Sequence, residues 1–424
     1  MKFALASYGT RGDVEPSAAV GRELARRGHE VCLAVPPGLL DFAEAAGLSA
    51  VSYGPPIEEF LDEDFLRNMW TDFLRSAWTI HGPINLVRKI WEPIIVHWAQ
   101  VNKTLLALAD GADLLSTGIN FEQAAANVAE HYDIPLATLH HFPMRANGQL
   151  VPTFPAPLVR SSMTAIEWLF WRSTKKVEDE QRRELGLPPA TSRSQRRIAD
   201  RGSLEIQGYD AVCYPGLAAE WAKWGGHRPF VGALTMELAT DADDDVVAWI
   251  AAGTPPICFS SGSIPVESPT EMVEMIAQTC ALLGERALVC FGGTDFADVS
   301  PPDHVKLVGP VNYATIFPAC RAAVHHGGSG TTAASLRAGI PTLILWSSAD
   351  QPYWGAQVRR LKVGAARRFS ATTRATLLAD LREILAPPYT TRARALATQL
   401  TAPADSIGRT ADLLEGAANR KSFG

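Results

Sequence analysis

The stretch that most constrains this fold is His325-His326-Gly327-Gly328-Ser329-Gly330-Thr331-Thr332, a run of small residues set between a strand and a helix. Ahead of it, Arg321-Ala322-Ala323-Val324 is short, apolar and β-branched at its end. Behind it, Thr332 to Ala338 places small and apolar residues at helical spacing until Gly339-Ile340-Pro341 stops the helix. The glycines therefore sit on a strand-to-helix turn. Such a turn brings backbone N–H groups close to an anion, and the helix N-terminus behind it adds about half a positive charge, so phosphate suits it. His326 would then donate to a diphosphate oxygen. A plain βα turn, with glycine for tightness, is satisfied by the same residues, and the glycines alone do not choose between the two.

The amino end has the same grammar. Lys2 to Ser7 reads as a strand, Tyr8 to Glu15 as a loop, Pro16 to about Arg27 as a helix and Glu30 to Val35 as a second strand. Pro16 suits the first helical position and Gly28 the stop, so a βαβ unit and a parallel sheet begin here. The loop is no dinucleotide GxGxxG and carries no phosphate reading of its own. Asp13 on it has two open readings. A carboxylate at the carboxyl edge of an open α/β sheet faces the ligand crevice, where it can act as a general base within hydrogen-bond reach of a hydroxyl. Asp is also well suited to cap the helix at Pro16.

The second half repeats this order. Asp241 to Asp244 can cap a short helix ending near Gly253, Pro256 to Ser260 reads as a strand, and Ser261-Gly262-Ser263 as a second small-residue turn. Ser268-Pro269-Thr270-Glu271 has the capping-box pattern and opens a helix to about Leu283; strands follow at Ala287 to Phe291, Val305 to Val308 and Thr342 to Trp346. A chain of 424 residues suits two domains of about 200 each. The acidic run Thr240 to Asp245 marks the boundary, giving a first domain at 1–225, a linker at 226–240, a second domain at 241–403 and a final helix at 404–424.

Between Ile57 and Ala109 aromatic residues crowd the chain, with Trp70, Trp78, Trp91 and Trp98 at helical spacing and Gly82-Pro83 as a break. They either wall a pocket for a bulky apolar ligand or fill the core of amphipathic helices. His140-His141 follows a strand-like Pro135 to Leu139 and either borders that cleft or is structural. A net charge of −6 leaves no basic excess for a general nucleic-acid binder. Mixed charges from Ser173 to Arg201 read as a solvated face, and a weak peripheral contact with anionic lipid would fall on Arg193, Arg196, Arg197 and Arg201. The six cysteines show no metal or CxxC spacing and read as buried thiols of a reducing compartment. No apolar run approaches 20 residues and residues 1–7 are too short for a signal segment, so a soluble, cytoplasmic protein is expected.

Four segments at fixed spacing carry a resemblance: Val311-Asn312-Tyr313-Ala314-Thr315-Ile316-Phe317-Pro318-Ala319-Cys320, His325 to Thr332, Ala338-Gly339-Ile340-Pro341-Thr342 and Asp350-Gln351-Pro352-Tyr353-Trp354. Together they resemble the donor-binding signature of inverting glycosyltransferases with the GT-B fold, in particular the bacterial natural-product and sterol glycosyltransferases. Gly9 to Pro16 is similar to the GxRGDVxP opening of the same enzymes. The resemblance implies two Rossmann-like domains facing across a cleft, with a final helix crossing back onto the first. It implies a UDP- or dTDP-linked sugar donor on the second domain. The diphosphate would lie on His326, Gly327, Gly328, Ser329, Gly330 and Thr331, with Ser261 and Ser263 opposite and Gly12 and Val311 completing the donor site. Asp350 and Gln351 would bind the sugar hydroxyls.

An apolar, hydroxylated acceptor would lie near Trp70, Trp78, His140 and His141, and Asp13 would deprotonate it. Neither metal nor cofactor is implied, since Asp243-Asp244-Asp245 sits at the domain boundary and offers no donor-loop Asp-x-Asp. Two departures concern the nucleotide: the family often has Pro-His or Pro-Gln where Asn312-Tyr313 stand, and many plant-type members carry Glu where Ala334 stands. A sugar-nucleotide epimerase or hydrolase, or a non-catalytic sugar-nucleotide-binding partner, would share the donor signature.

Overall fold

Near-continuous apolar strands such as Phe3-Ala4-Leu5-Ala6, each at most 1% exposed, can be satisfied only by burial on both faces, which is the condition of a parallel sheet covered by helices. The computed structural model of the protein describes residues 1–57, 82–262, 268–292, 296 and 299–421. Among the described residues the strands form two parallel sheets. The first contains β1 (Lys2–Ala6), β2 (Glu30–Val35), β3 (Ser49–Ser52), β4 (Leu114–Thr117), β5 (Leu136–His140) and β6 (Leu204–Gln207), in the order β3-β2-β1-β4-β5-β6. The second contains β7 (Ile257–Gly262), β8 (Ala287–Phe291), β9 (Val305–Val308), β10 (Ala322–His325), β11 (Thr342–Trp346) and β12 (Gly364–Arg368), in the order β12-β11-β10-β7-β8-β9.

Counted from its own first strand, each sheet runs 3-2-1-4-5-6. The chain crosses one way from the first strand and then returns to its other side, so the carboxyl ends of β1 and β4, and of β7 and β10, diverge into crevices. The contacts divide the chain into one unit of Met1–Met236 with Thr401–Gly424 and another of Glu237–Leu400. Residues 228–236 pack in the first unit: Phe230 bridges to Gln207, and Val231 and Leu234 lie in its core.

The last helix, Pro403–Lys421, also belongs to the first unit. It buries Ala411, Leu414, Ala417 and Ala418 with Val14 and Leu24 of the helix Arg11–Arg26. Arg27 Nη1 reaches Asp412 Oδ1 at 2.6 Å and Glu415 Oε2 at 2.9 Å, and His29 Nε2 lies 2.7 Å from Glu415 Oε1. Leu414 is wholly buried, so its truncation to Ala should cost about 2–5 kcal/mol.

Several expectations change. The first helix begins at Arg11 rather than Pro16, because Thr10 and Asp13 bond to each other and start it one turn early; Pro16 then falls inside. Trp98 is core, 3% exposed, with Nε1 donating to Gln181 Oε1 at 3.2 Å. Trp70 and Trp78 lie outside the described residues. In the basic cluster each cation has an acidic partner: Arg193 faces Glu167, Arg196 faces Asp200, Arg197 faces Glu178 and Arg201 faces Asp133. Five of the cysteines are buried and Cys32 is partly so, all as free thiols.

Candidate active site

In the first unit the chemistry gathers where β1, β4, β5 and β6 end. Asp13 Oδ2 accepts from the Thr10 backbone N–H at 2.8 Å and from its hydroxyl at 3.1 Å. Gly9, at φ +141°, makes room for this: a Cβ there would lie 2.2 Å from Asp13 Oδ2. Asp13 Oδ1 lies 3.8 Å from His141 Nε2. Capping thus occupies one carboxylate oxygen and leaves the other beside a histidine. A recess at this edge is lined by Asp13, Pro16, Gly118, Ile119, Leu139, His140, His141, Gly208 and Leu234. Phe121, just past β4, holds a left-handed φ of 60°, backbone strain of a kind that clusters at functional sites.

Behind the recess lies a charge network that no local pattern announces. His140, 1% exposed, has Nε2 2.9 Å from Glu122 Oε1. Arg145 donates to both oxygens of Glu122, at 2.9 and 2.7 Å, and to Glu205, which also accepts from Arg228 Nε at 3.0 Å. Burial pushes the Glu122 carboxyl up, but the Arg145 guanidinium and the His140 hydrogen bond outweigh it and hold the pKa at about 2. Burial pushes His140 down, helped by Arg145. An ionised Glu122 only accepts, so His140 Nε2 carries the proton and Nδ1 is bare; Nδ1 is buried and has no partner among the described residues. Two carboxylates face two guanidiniums, so this buried cluster is neutral and paired, as buried charges must be.

In the second unit β7 and β10 end side by side. The register of β7 against β8 slips between Ser260 and Gly262, leaving Ser261 as the extra residue, a device that re-aims a side chain at a strand end. The Ser261 hydroxyl is buried without a partner among the described residues. Ser260 Oγ meets the Tyr313 hydroxyl, and the Tyr313 ring stacks on Phe317 at 4.6 Å. Ser263 lies outside the described residues.

The two adjacent histidines part company. His325 turns inward: its Nδ1 accepts from Gly327 N–H at 3.0 Å, and its Nε2 lies 3.3 Å from Ser335 Oγ. It shapes the turn from beneath, a role the sequence reading had not assigned. Gly327, at φ +96°, could not carry a side chain, since a Cβ would lie 2.6 Å from Ile344 Cγ2. His326 lies over Gly328, where a Cβ would stand 2.5 Å from its Nε2. Burial pushes His326 down to about 4, so at neutral pH the imidazole is neutral and can donate from one nitrogen. The helix Ser329–Arg337 starts at once, so the N–H groups of Ser329, Gly330 and Thr331 belong to its unsatisfied first turn. At the end of β11, Ala349 holds φ 54°, and Gln351 Oε1 accepts from the N–H groups of Ser347 and Ser348 at 2.8 and 3.3 Å. Asp350 and Gln351 thus stand at the start of the helix Gln351–Arg360, where the Gln351 side chain pins the preceding turn. Val311 is buried nearby in the same unit.

Comparison with known proteins agrees with both halves. The Glycosyltransferase family 28 N-terminal domain matches residues 3–99, and the Erythromycin biosynthesis protein CIII-like C-terminal domain matches residues 274–407. The Mycobacterium tuberculosis (strain ATCC 25618 / H37Rv) protein described as "Uncharacterized glycosyltransferase Rv1524" is 60% identical over 423 residues, 99% of this chain and 100% of that one. The sterol 3-beta-glucosyltransferase UGT80A2 of Arabidopsis thaliana is 31% identical over 388 residues, 86% of this chain and 57% of that one. Among solved structures, the glycosyltransferase VinC in complex with dTDP superposes with a TM-score of 0.69 at 17% identity, covering 99% of this chain and 100% of that one. CalG4, the calicheamicin glycosyltransferase, gives 0.69 at 18%, covering 99% and 98%.

Proposed function

Because the chain belongs to the family of glycosyltransferases with the GT-B fold, we propose that it moves a sugar from a nucleoside-diphosphate donor to a hydroxyl of an apolar small-molecule or lipid acceptor, inverting the anomeric carbon. The observation that carries this reading is the turn at the end of β10. A neutral His326, held over Gly328 at the start of a helix, is an anion cradle with no charge of its own to neutralise. The dTDP bound to VinC supports a UDP- or dTDP-linked donor, and the sterol named for the plant relative supports an apolar hydroxylated acceptor.

In this reading Asp13 removes the acceptor proton. Thr10 holds Oδ2, and Oδ1 receives the hydrogen. The acceptor oxygen bonds to the anomeric carbon as the bond from that carbon to the diphosphate oxygen breaks. The electron pair leaves with the diphosphate, where the N–H groups of Ser329, Gly330 and Thr331, the helix dipole and the His326 N–H stabilise it. Ser261 contributes a hydroxyl from the neighbouring strand end, and Asp350 and Gln351 hold the sugar. This mechanism needs no metal ion.

Asp13→Asn separates the base from the cap. Asn keeps an oxygen for the Thr10 N–H but cannot take a proton near neutral pH. The variant should melt like the wild type and bind nucleoside diphosphate normally, yet lose about 10²–10⁴-fold in turnover. Transfer at more than about a tenth of the wild-type rate would falsify the catalytic role, because a positioned base is worth at least 10².

A further inference from the structure

The helix Ala156–Glu184 is anchored by one face and bare on the other. Val159, Thr174, Glu178 and Gln181 are 6, 0, 0 and 2% exposed and mark its buried side. On the opposite line Leu158, Ala165, Leu169, Arg172 and Lys176 follow at three- and four-residue steps or their sum, which keeps them on one stripe. Ile166 and Trp168 flank that stripe on either side. Leu158, Ile166 and Trp168 are 55, 50 and 50% exposed, and Phe154 in the preceding loop is 59% exposed. Large apolar side chains gathered this densely on a surface mark an interaction site.

Up to Lys176 the charge on this face is one-sided. Between residues 156 and 176 the cations are Arg160, Arg172, Lys175 and Lys176, and the one acid, Glu167, turns inward to accept from the Ala146 N–H at 3.1 Å and to face Arg193. Arg160 is answered by Glu220 at 2.7 Å and Lys175 by Asp179 at 2.7 Å. Arg172 and Lys176 are exposed, and Arg172 lies 5.9 Å from the Trp168 ring centroid. The exposed stripe is thus apolar through Leu169 and carries Arg172 and Lys176 over the next two turns, beyond which Glu180 and Arg183 pair with each other at 3.3 Å, within a chain whose net charge is −6.

We propose that this face docks on an anionic lipid surface. Trp168, Ile166, Leu158 and Phe154 enter the headgroup and acyl boundary, and Arg172 and Lys176 meet the lipid phosphates. Among the described residues no helix is long and apolar enough to cross a membrane, so the contact is peripheral. A second copy of the chain fits this face less well, because an isologous pair would set a positive face against its own duplicate. From its inward side the helix holds the loop that follows His140 and His141 through the Glu167 contact, so the docking face belongs to the same unit as the recess.

The test is co-sedimentation of the full chain with vesicles of phosphatidylcholine alone and of equal parts phosphatidylcholine and phosphatidylglycerol, without donor or acceptor, so that its outcome is independent of transferase activity. The expected result is binding to the anionic vesicles, weaker binding to the neutral ones, and weakening by salt. Ile166→Ser/Trp168→Ser and Arg172→Glu/Lys176→Glu should each lower partition by at least about tenfold with unchanged melting temperatures, because all four side chains face solvent. Absence of binding to anionic vesicles, equal binding to both compositions, or variants that partition like the wild type would overturn the proposal. So would a lipid-free dimer in sedimentation velocity that both variants abolish, since the face would then belong to a second copy.

Discussion

Gly328 offers a way to move His326 without removing it. Its φ of −59° is open to any residue, so only the imidazole stands in the way: a methyl group at Gly328 would sit 2.5 Å from His326 Nε2. Gly328→Ala must therefore push the ring off its place over the turn. If that ring donates to a phosphoryl oxygen, losing the bond costs about 1.5–3 kcal/mol, the range for hydrogen bonds to charged groups. That corresponds to roughly 10–150-fold in Kd. His326→Ala removes the same contact, so the two losses should not add. The double variant should bind no worse than His326→Ala alone, giving a coupling energy about as large as either single loss. The gain of about 0.4–1 kcal/mol that alanine brings through the unfolded chain applies at an unstrained position, so displacing the ring offsets it and the melting temperature should not rise. Titration calorimetry of UDP and dTDP on the four proteins, with thermal melts as the folding control, measures both. Wild-type affinity in Gly328→Ala, or strictly additive losses, would refute the placement of the diphosphate against His326.

The buried network behind the recess predicts an acid response. Glu122 titrates at about 2 in the fold and near 4.5 when unfolded, so its contribution is fully present above pH 4.5 and is lost as pH falls from there toward 2. Glu122→Gln should cost about 3–5 kcal/mol at neutral pH, the usual result of breaking a buried pair, and should also flatten the acid loss in urea unfolding. Equal acid losses in variant and wild type would assign that response to other groups. On the donor side, Asp350→Asn should lower turnover with the sugar nucleotide while leaving affinity for the free nucleoside diphosphate unchanged, because only the donor carries the sugar. Equal losses in both measurements would make Asp350 a structural residue of the β11 loop.

What the chain announces by itself is local. β2, β8, β9 and β11 have the bounds that their residues predict, and the strand–turn–helix alternation that specifies parallel sheets is complete in the order of residues. The family resemblance is equally local, since it rests on segments whose spacing a turn and its flanking elements dictate. The start of the first helix is less legible: Pro16 is a strong signal, but Asp13 bonding back to Thr10 begins the helix at Arg11. His325 and His326 are indistinguishable as letters. Successive side chains at a strand end point to opposite sides, so one locks the turn from within and the other lies over Gly328. Glu122, Arg145 and Glu205 are 23 and 60 residues apart along the chain, and nothing periodic links them. They meet because the sheet order sets β4, β5 and β6 side by side, which brings Glu122 and Arg145, from the segments after β4 and β5, to Glu205 on β6 itself. Propensity, capping and turn chemistry act over about four residues and can be read in order, whereas the pairing of buried charges depends on which strand ends become neighbours, and only the tertiary structure decides that.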